Sequence, residues 1–247
     1  EYAVRDAAEA GVTDIAIVMS PGMESVADYF GNQDVLEREL HSRGRDELLE
    51  AQLEIASLVN VTTVFQHDPK GPGHAIFQAR EFCDGEPFVV IFPDDLIIHD
   101  DSATEQLMQV YREHGGSVIA ATESPTETLH TKGVIGGSKV SEYVVAVDQL
   151  VEKPAIEDAP SNLTIVARYI IDNAAFDYLA EGHTGAGGEI WLTDAIASLI
   201  GESPVHARVI EGFHADTGNP GGMLEAAIHV AKQDPELAAI VKRALAD

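Results

Sequence analysis

The chain has 247 residues, 45% of them hydrophobic, which is enough for one substantial buried core. Its 42 acidic residues outnumber 15 lysines and arginines, and the formal net charge of −27 argues against nucleic acid or an anionic membrane as a partner. A single cysteine, Cys83, excludes an internal disulfide and cysteine-cluster metal sites, and the absence of a long apolar run or signal peptide predicts a cytoplasmic protein.

The first part of the chain alternates helices and strands. Glycine and proline positions, apolar spacing and β-branched runs predict helices at 3–10, 24–30, 34–58 (interrupted near Gly44) and 74–82, and strands at 14–19, 60–66 and 87–92. Ser102 and Glu105 form the S-x-x-E pattern of a helix start, and a strand follows at 117–122. We therefore predict an α/β fold: a Rossmann-like, mostly parallel mixed sheet with helices on both faces.

The residue pattern of the sequence changes after Ser124. Glycines and β-branched runs such as "GVIGG", "YVVAVDQLVEKP" and "NLTIVARYII" predict strands that do not alternate with long helices. We expect a smaller β-rich annex on the same sheet from about 125 to 190. Helices are predicted again at 193–200, 220–232 and 235–246.

Two adjacent carboxylates follow a buried apolar run in "VVIFPDDLIIHD". Ligands of open α/β sheets bind beyond the carboxyl ends of the strands, so Asp94 and Asp95 stand where a functional acid is expected. A carboxylate in that place commonly holds Mg²⁺, which completes its coordination with phosphates and water. The alternative is that either acid caps the following turn, and of the two Asp95 is the better candidate for a structural role.

Three further stretches carry candidate site residues. In "QHDPKGPGHA" the amide of Gln66 is suited to read a base edge, and Gly71 lets the backbone approach a ligand, although glycine and proline also mark ordinary turns. "VEKP" ends a strand with Glu152 and Lys153, suited to sugar hydroxyls and to a phosphate, or simply solvated. Asp216, in "HADTGNPGG", is either a second metal ligand or a turn residue.

These stretches, in this order, resemble the bacterial UTP:glucose-1-phosphate uridylyltransferases of the sugar-nucleotide pyrophosphorylase family. The resemblance covers nearly the whole chain and includes "ELHSRGRDELLE", "APSNLTIVARYII", "GAGGEIWLTDAI" and "DTGNPGGMLEA". It implies one nucleotidyltransferase domain over 1–247, with a nucleotide-binding part (1–124), a sugar-binding annex (125–190) and a C-terminal helical part (191–247). It also implies a cytoplasmic enzyme that makes UDP-glucose and pyrophosphate, as a homodimer or homotetramer.

The resemblance assigns roles to the nucleotide and metal residues. It makes Gln66 and Gly71 the pair that reads uracil. It makes Asp94 the Mg²⁺ ligand, with Asp216 as the acid that completes metal binding. Magnesium is thus the implied cofactor.

The sugar side follows in the same way. The resemblance makes Glu152 the holder of glucose hydroxyls, Lys153 the contact to the sugar phosphate and Gly133 a backbone contact in the sugar pocket. Thr193 and Asp194 look like a helix start that packs near the sugar, and we do not assign them to the site.

Two departures from the family pattern leave alternatives open. No glycine-rich phosphate loop with an arginine is found in residues 1–30, so we expect a missing upstream segment, without which the chain would be a non-catalytic sugar-nucleotide-binding fragment. In "HTKGVI", Lys132 stands where the family usually has tyrosine. Another sugar-nucleotide pyrophosphorylase, using dTTP or a different nucleotide, is the alternative within the same class.

Overall fold

The computed structural model describes residues 1–30 and 34–246. Within them the strands are β1 (Asp14–Met19), β2 (Asn60–Phe65), β3 (Phe88–Ile91), β4 (Asp95–Ile98), β5 (Ser117–Glu123), β6 (Gly133–Lys139), β7 (Val144–Glu152), β8 (Leu163–Ile171), β9 (Val205–Val209) and β10 (Phe213–Asp216). The α-helices are α1 (Tyr2–Glu9), α2 (Glu24–Phe30), α3 (Asp34–Ser42), α4 (Asp46–Leu58), α5 (Pro72–Gln78), α6 (Arg80–Cys83), α7 (Ala103–His114), α8 (Ala175–Glu181), α9 (Leu192–Leu199), α10 (Pro220–Gln233) and α11 (Pro235–Ala244).

The main sheet has six strands in the order β3–β8–β5–β9–β7–β6. Only β5 and β9 pair in parallel within it, whereas β3/β8, β5/β8, β7/β9 and β6/β7 are antiparallel. Two further strand pairs form separate two-stranded sheets: β1 with β2 in parallel, and β4 with β10 antiparallel. The α/β class and the mixed sheet are confirmed, but the expectation of mostly parallel pairing is wrong.

The apolar continuity of the strands is the reason for that error. It reports burial on both faces of a sheet, and helices produce such burial whether neighbouring strands run the same way or oppositely. β8 illustrates the point, because it is almost wholly buried yet runs antiparallel to both of its neighbours, β3 and β5. The relative direction of neighbouring strands is seen only in their hydrogen-bonded pairing.

Helices cover both faces of the sheet, as predicted. Along β5, Val118 and Ala120 pack in one apolar cluster with Leu107 of α7, while Ile119 belongs to the cluster that holds Phe176 of α8 and the buried side of α9. Successive side chains of a strand point to opposite faces, so a single strand serves both cores. The strands β6–β8 of the region 125–190 belong to this same sheet.

Local signals located most helix starts. Ser102 Oγ accepts the amide of Glu105 at the start of α7, Asn219 caps α10 and Asp234 caps α11. The predicted break near Gly44 separates α3 from α4. Strands β4, β9 and β10 were not predicted, because they are short and follow turn-like sequence. No helix in the described ranges is both long and apolar enough to cross a membrane.

Candidate active site

A cavity of about 200 Å³ opens where strands of the main sheet meet the β4/β10 pair. Its wall includes Asp94, Asp216, Gly133, Glu152 and Thr193, together with Pro72, Phe92, Asp95, Lys132, Ile165, Ala167, Tyr169, Trp191, Leu192 and His214. The volume is below the roughly 300–1,000 Å³ of pockets that enclose a whole ligand. It is therefore suited to one part of a larger substrate pair.

Asp94 and Asp216 converge on one point of this wall. A Cβ built on Gly218 would lie 3.0 Å from Asp94 Oδ2 and 3.0 Å from Asp216 Oδ1, so the two oxygens are within about 6 Å of each other. Both side chains are exposed to the cavity. The backbone holds them together, since the carbonyl oxygen of Asp94 accepts the amide and the hydroxyl of Thr217 at 2.7 and 2.8 Å.

This donor pair fits a hard divalent cation. Mg²⁺ binds carboxylate oxygens at about 2.1 Å and is usually held by one or two of them, the rest of its shell being water and phosphate. The described residues contain no cluster of three or more His, Cys, Asp or Glu side chains that could hold a metal ion by themselves.

Glu152 is the most buried acid of the cavity. Its side chain is 9% exposed, and Thr193 Oγ1 donates a hydrogen bond to Oε2 at 2.7 Å. Desolvation raises the pKa of Glu152, while the Thr193 hydroxyl and the Lys153 ammonium act in the opposite direction. Gly133 lies against it, because a Cβ there would be 3.1 Å from Glu152 Oε2 and 2.7 Å from Ile165 Cδ1.

Lys153 follows β7 in a left-handed backbone conformation, with φ of 49°. Its amide donates to the carbonyl oxygen of Lys132 at 3.0 Å, and its ammonium lies 4.0 Å from Glu152 Oε1 and 4.0 Å from the ring centre of Trp191. Lys153 is not among the lining residues, but two of its neighbours, Glu152 and Trp191, are. Lys132 lines the cavity and donates to Ser124 Oγ at 3.3 Å.

The predicted base-reading pair lies beside the cavity rather than in its wall. Gln66 is buried, and its side-chain nitrogen is 3.4 Å from Gly71 O and 2.9 Å from His74 Nδ1. Gly71 has φ of 106°, and a Cβ would lie 2.8 Å from Glu189 Cβ, so no larger residue fits without displacement. The next residue, Pro72, does line the cavity.

Comparison with known proteins settles the family. Residues 1–233 match the family described as nucleotidyl transferase. The chain belongs to that family. Nucleotidyl transferases of this kind generally use a divalent metal, in agreement with the paired carboxylates.

Individual nucleotidyl transferases are similar over nearly the whole chain. A protein of Staphylococcus haemolyticus named UTP–glucose-1-phosphate uridylyltransferase is 40% identical over 237 residues, covering 96% of this chain and 82% of that protein. A crystal structure of UDP-glucose pyrophosphorylase complexed with UDP-glucose has a TM-score of 0.84 and 34% identity, covering 94% of this chain and 86% of the other. A UTP-bound enzyme from Acinetobacter baumannii has a TM-score of 0.88 at 28% identity, covering 100% and 86%. The resemblance inferred from the motifs is confirmed.

Two residues that line this cavity were not assigned to a site from the sequence. Thr193 was expected near the sugar but not assigned to the site, and Trp191 was not considered, yet both line the cavity and contact the Glu152–Lys153 pair. Both lie in the motif "GAGGEIWLTDAI", which marked the family but not the contact. A bond across 41 residues of chain has no local signature in the sequence.

Proposed function

We propose that this protein catalyses the reaction of UTP with glucose 1-phosphate to give UDP-glucose and pyrophosphate. The observation that carries the proposal is the approach of Asp94 and Asp216 to one point in the wall of the cavity that Glu152 also lines. The relatives named for this activity, and the related structures bound to UDP-glucose and to UTP, support the choice of substrates.

The cavity lies where sugar and phosphate recognition are both available. Glu152 accepts hydrogen bonds from glucose hydroxyls, Gly133 leaves space for the ring, and Lys153 contacts the phosphate of glucose 1-phosphate. Gln66 and Gly71 read the uracil, and Pro72, the residue that follows Gly71, lines the cavity next to them. The small volume suits this division, with the sugar inside and the nucleotide beside it.

The reaction is a substitution at the α-phosphorus of UTP. A phosphate oxygen of glucose 1-phosphate forms the new P–O bond, and the bond from the α-phosphorus to the bridging oxygen breaks, so that pyrophosphate leaves with its electron pair. The attacking oxygen is already ionised, so no general base is required, and the protein's task is alignment and charge stabilisation. In this proposal the charge of Lys153 orients the nucleophile.

Asp94 and Asp216 would hold the cation, which we propose to be Mg²⁺. When bound, it neutralises charge on the nucleotide phosphates. The charges of the cavity make this necessary: its wall carries the carboxylates Asp94, Asp95, Glu152 and Asp216 against one lysine, so two phosphate-bearing substrates would otherwise be repelled.

The test is direct. The protein is incubated with glucose 1-phosphate, Mg²⁺ and, in separate reactions, UTP, dTTP or GTP, and UDP-glucose and pyrophosphate are quantified. We expect kcat/KM for UTP to exceed the other values by about tenfold or more. A preference for dTTP would favour a different sugar-nucleotide pyrophosphorylase, and binding of UDP-glucose without pyrophosphate release would favour a non-catalytic binding protein.

The same proposal includes self-association into a dimer or tetramer. Leu224 of α10 and Leu237 and Ile240 of α11 are large apolar side chains exposed on the C-terminal helices, with exposed fractions of 61%, 44% and 46%. Exposed apolar surface of this kind is common at subunit interfaces. Sedimentation velocity of the wild type and of Leu237→Glu tests this, and a monomeric wild type would contradict it.

A further inference from the structure

The only tryptophan of the chain lies against the lysine that the proposed reaction uses. The ammonium of Lys153 is 4.0 Å from the centre of the Trp191 ring. Separations below about 6 Å give attraction between a cation and the electron-rich face of an indole, and tryptophan is the strongest partner of this type. The pair is therefore an energetic contact and not only a packing neighbour.

The other end of Lys153 is fixed as well. Its left-handed φ of 49° is uncommon for a residue with a side chain, and the hydrogen bond that its amide donates to Lys132 O at 3.0 Å holds it in that conformation. Between backbone and ammonium lies a flexible four-carbon stem that loses considerable rotamer freedom when ordered. The contact of the ammonium with the Trp191 ring therefore fixes the position of the positive charge in the ligand-free protein.

The residue before Trp191 is held by backbone hydrogen bonds to the glycine loop. The adjacent Ile190 donates its amide to Lys70 O at 2.8 Å and accepts the amide of Gly73 at 2.8 Å. On its other side Trp191 is the N-cap of α9. The backbone that carries the indole therefore joins the loop 70–73 to the start of α9. Trp191 and Thr193 both line the cavity.

We infer that Trp191 is a positioning residue, which holds the Lys153 ammonium at the edge of the cavity for the phosphate of a sugar 1-phosphate. The inference rests on the proposed function for the identity of that ligand. The role of Trp191 itself is a separate claim. The Lys153 ammonium is 4.0 Å from Glu152 Oε1 and 4.0 Å from the Trp191 ring centre, so without the ring it would move closer to the carboxylate. The indole competes for the charge and keeps it available.

Kinetics of two substitutions test the role. Trp191→Leu keeps an apolar wall without an aromatic face, and Trp191→Phe keeps a weaker one. We expect Trp191→Leu to raise KM for glucose 1-phosphate about threefold to tenfold with a smaller change in KM for UTP, and Trp191→Phe to recover most of the loss. Equal effects on both substrates, or a Phe variant as impaired as the Leu variant, would overturn the inference.

Fluorescence of the ligand-free protein tests the contact without any turnover. Since Trp191 is the sole tryptophan, all indole emission reports its surroundings. We expect Lys153→Met to change the emission intensity or wavelength, and Lys132→Met, the matched control in which the removed ammonium contacts Ser124, to leave it unaltered. Identical spectra for wild type and Lys153→Met would refute the contact.

The two proposals fail in different ways. A wild-type protein that releases no pyrophosphate from UTP and glucose 1-phosphate refutes the proposed function and leaves the fluorescence result standing on its own. An active wild type whose Trp191→Leu variant has unaltered KM for glucose 1-phosphate refutes the positioning role alone.

Discussion

Asp95 accepts a hydrogen bond from His214 Nε2 at 2.6 Å, and this bond joins β4 to β10 directly behind the two exposed carboxylates. The other oxygen of Asp95 accepts the amide of Ala167 in β8 at 3.0 Å. Burial opposes ionisation of Asp95, but these hydrogen bonds outweigh it and the pKa of Asp95 is lowered from its usual value. Asp95 thus anchors the strand pair that presents Asp94 and Asp216.

Replacing that anchor should weaken the fold and the metal site together. Asp95→Asn loses a charge-assisted bond in a half-buried position, so we expect the free energy of unfolding to fall by about 1–3 kcal/mol and the Mg²⁺ concentration for half-maximal activity to rise. Urea unfolding and Mg²⁺ titration measure the two effects. Asp100→Asn, at an exposed neighbouring acid, is the control, and equal effects of both variants would contradict the assignment.

The metal ligands themselves are tested separately. Asp94→Asn and Asp216→Asn each remove one negative oxygen from the proposed cation site, and we expect turnover to fall by about tenfold or more, with partial recovery at high Mg²⁺. The exposed position of both side chains predicts little change in the unfolding midpoint. Turnover unchanged in either variant would remove that residue from the site.

Lys153 should contribute to the chemical step. Lys153→Ala removes positive charge beside the transferring phosphate, so we predict a loss of about tenfold or more in kcat/KM for glucose 1-phosphate. Lys139→Ala, at the exposed end of β6, is the matched control, since it removes the same charge far from the cavity wall. Steady-state kinetics distinguish the two, and a similar small loss in both would argue for a general charge effect.

The loss of activity at low pH should depend on Glu152 and Thr193. Desolvation raises the pKa of Glu152, so its carboxylate is protonated, and loses the capacity to accept sugar hydroxyls, at a higher pH than an exposed glutamate. Thr193→Val removes the hydrogen bond that favours the ionised form, and we expect it to shift the rise in KM for glucose 1-phosphate to higher pH. Glu152→Gln is the control for titration of the substrate. Its side chain does not titrate, so the pH dependence that remains comes from the phosphate of glucose 1-phosphate. A loss of activity at low pH that is the same in wild type and Thr193→Val would contradict this account.

A buried ion pair behind the site should be important for stability. The carboxylate of Asp6 in α1 accepts hydrogen bonds from Arg168 Nε at 3.3 Å and from the amide of Ala103 at 2.8 Å. Both charged side chains are less than 8% exposed. Breaking one partner leaves an uncompensated charge, so Arg168→Met should cost about 3–5 kcal/mol in the free energy of unfolding. The double variant Asp6→Leu with Arg168→Met should recover part of this loss. Urea denaturation checks both, and additive losses would show that the two residues are not coupled.

Much of the local architecture was predictable. The helix starts at Ser102, Asn219 and Asp234 carry capping side chains, whose hydrogen bonds are made within a few residues of chain. The roles of Asp94, Glu152, Lys153 and the other predicted site residues remain predictions, although the structure brings Asp94, Asp216, Gly133 and Glu152 to one cavity.

The sequence by itself determined most of the helices and the longer strands, the acidic surface and the family, because caps, apolar periodicity and motif order are properties of short stretches of chain. The tertiary structure decided the strand directions, the proximity of the two aspartates, and the contacts of Thr193 with Glu152 and of Trp191 with Lys153. The two aspartates and the two side-chain contacts join residues 38 to 122 positions apart, and they depend on how helices and strands pack, which no local pattern of side chains records.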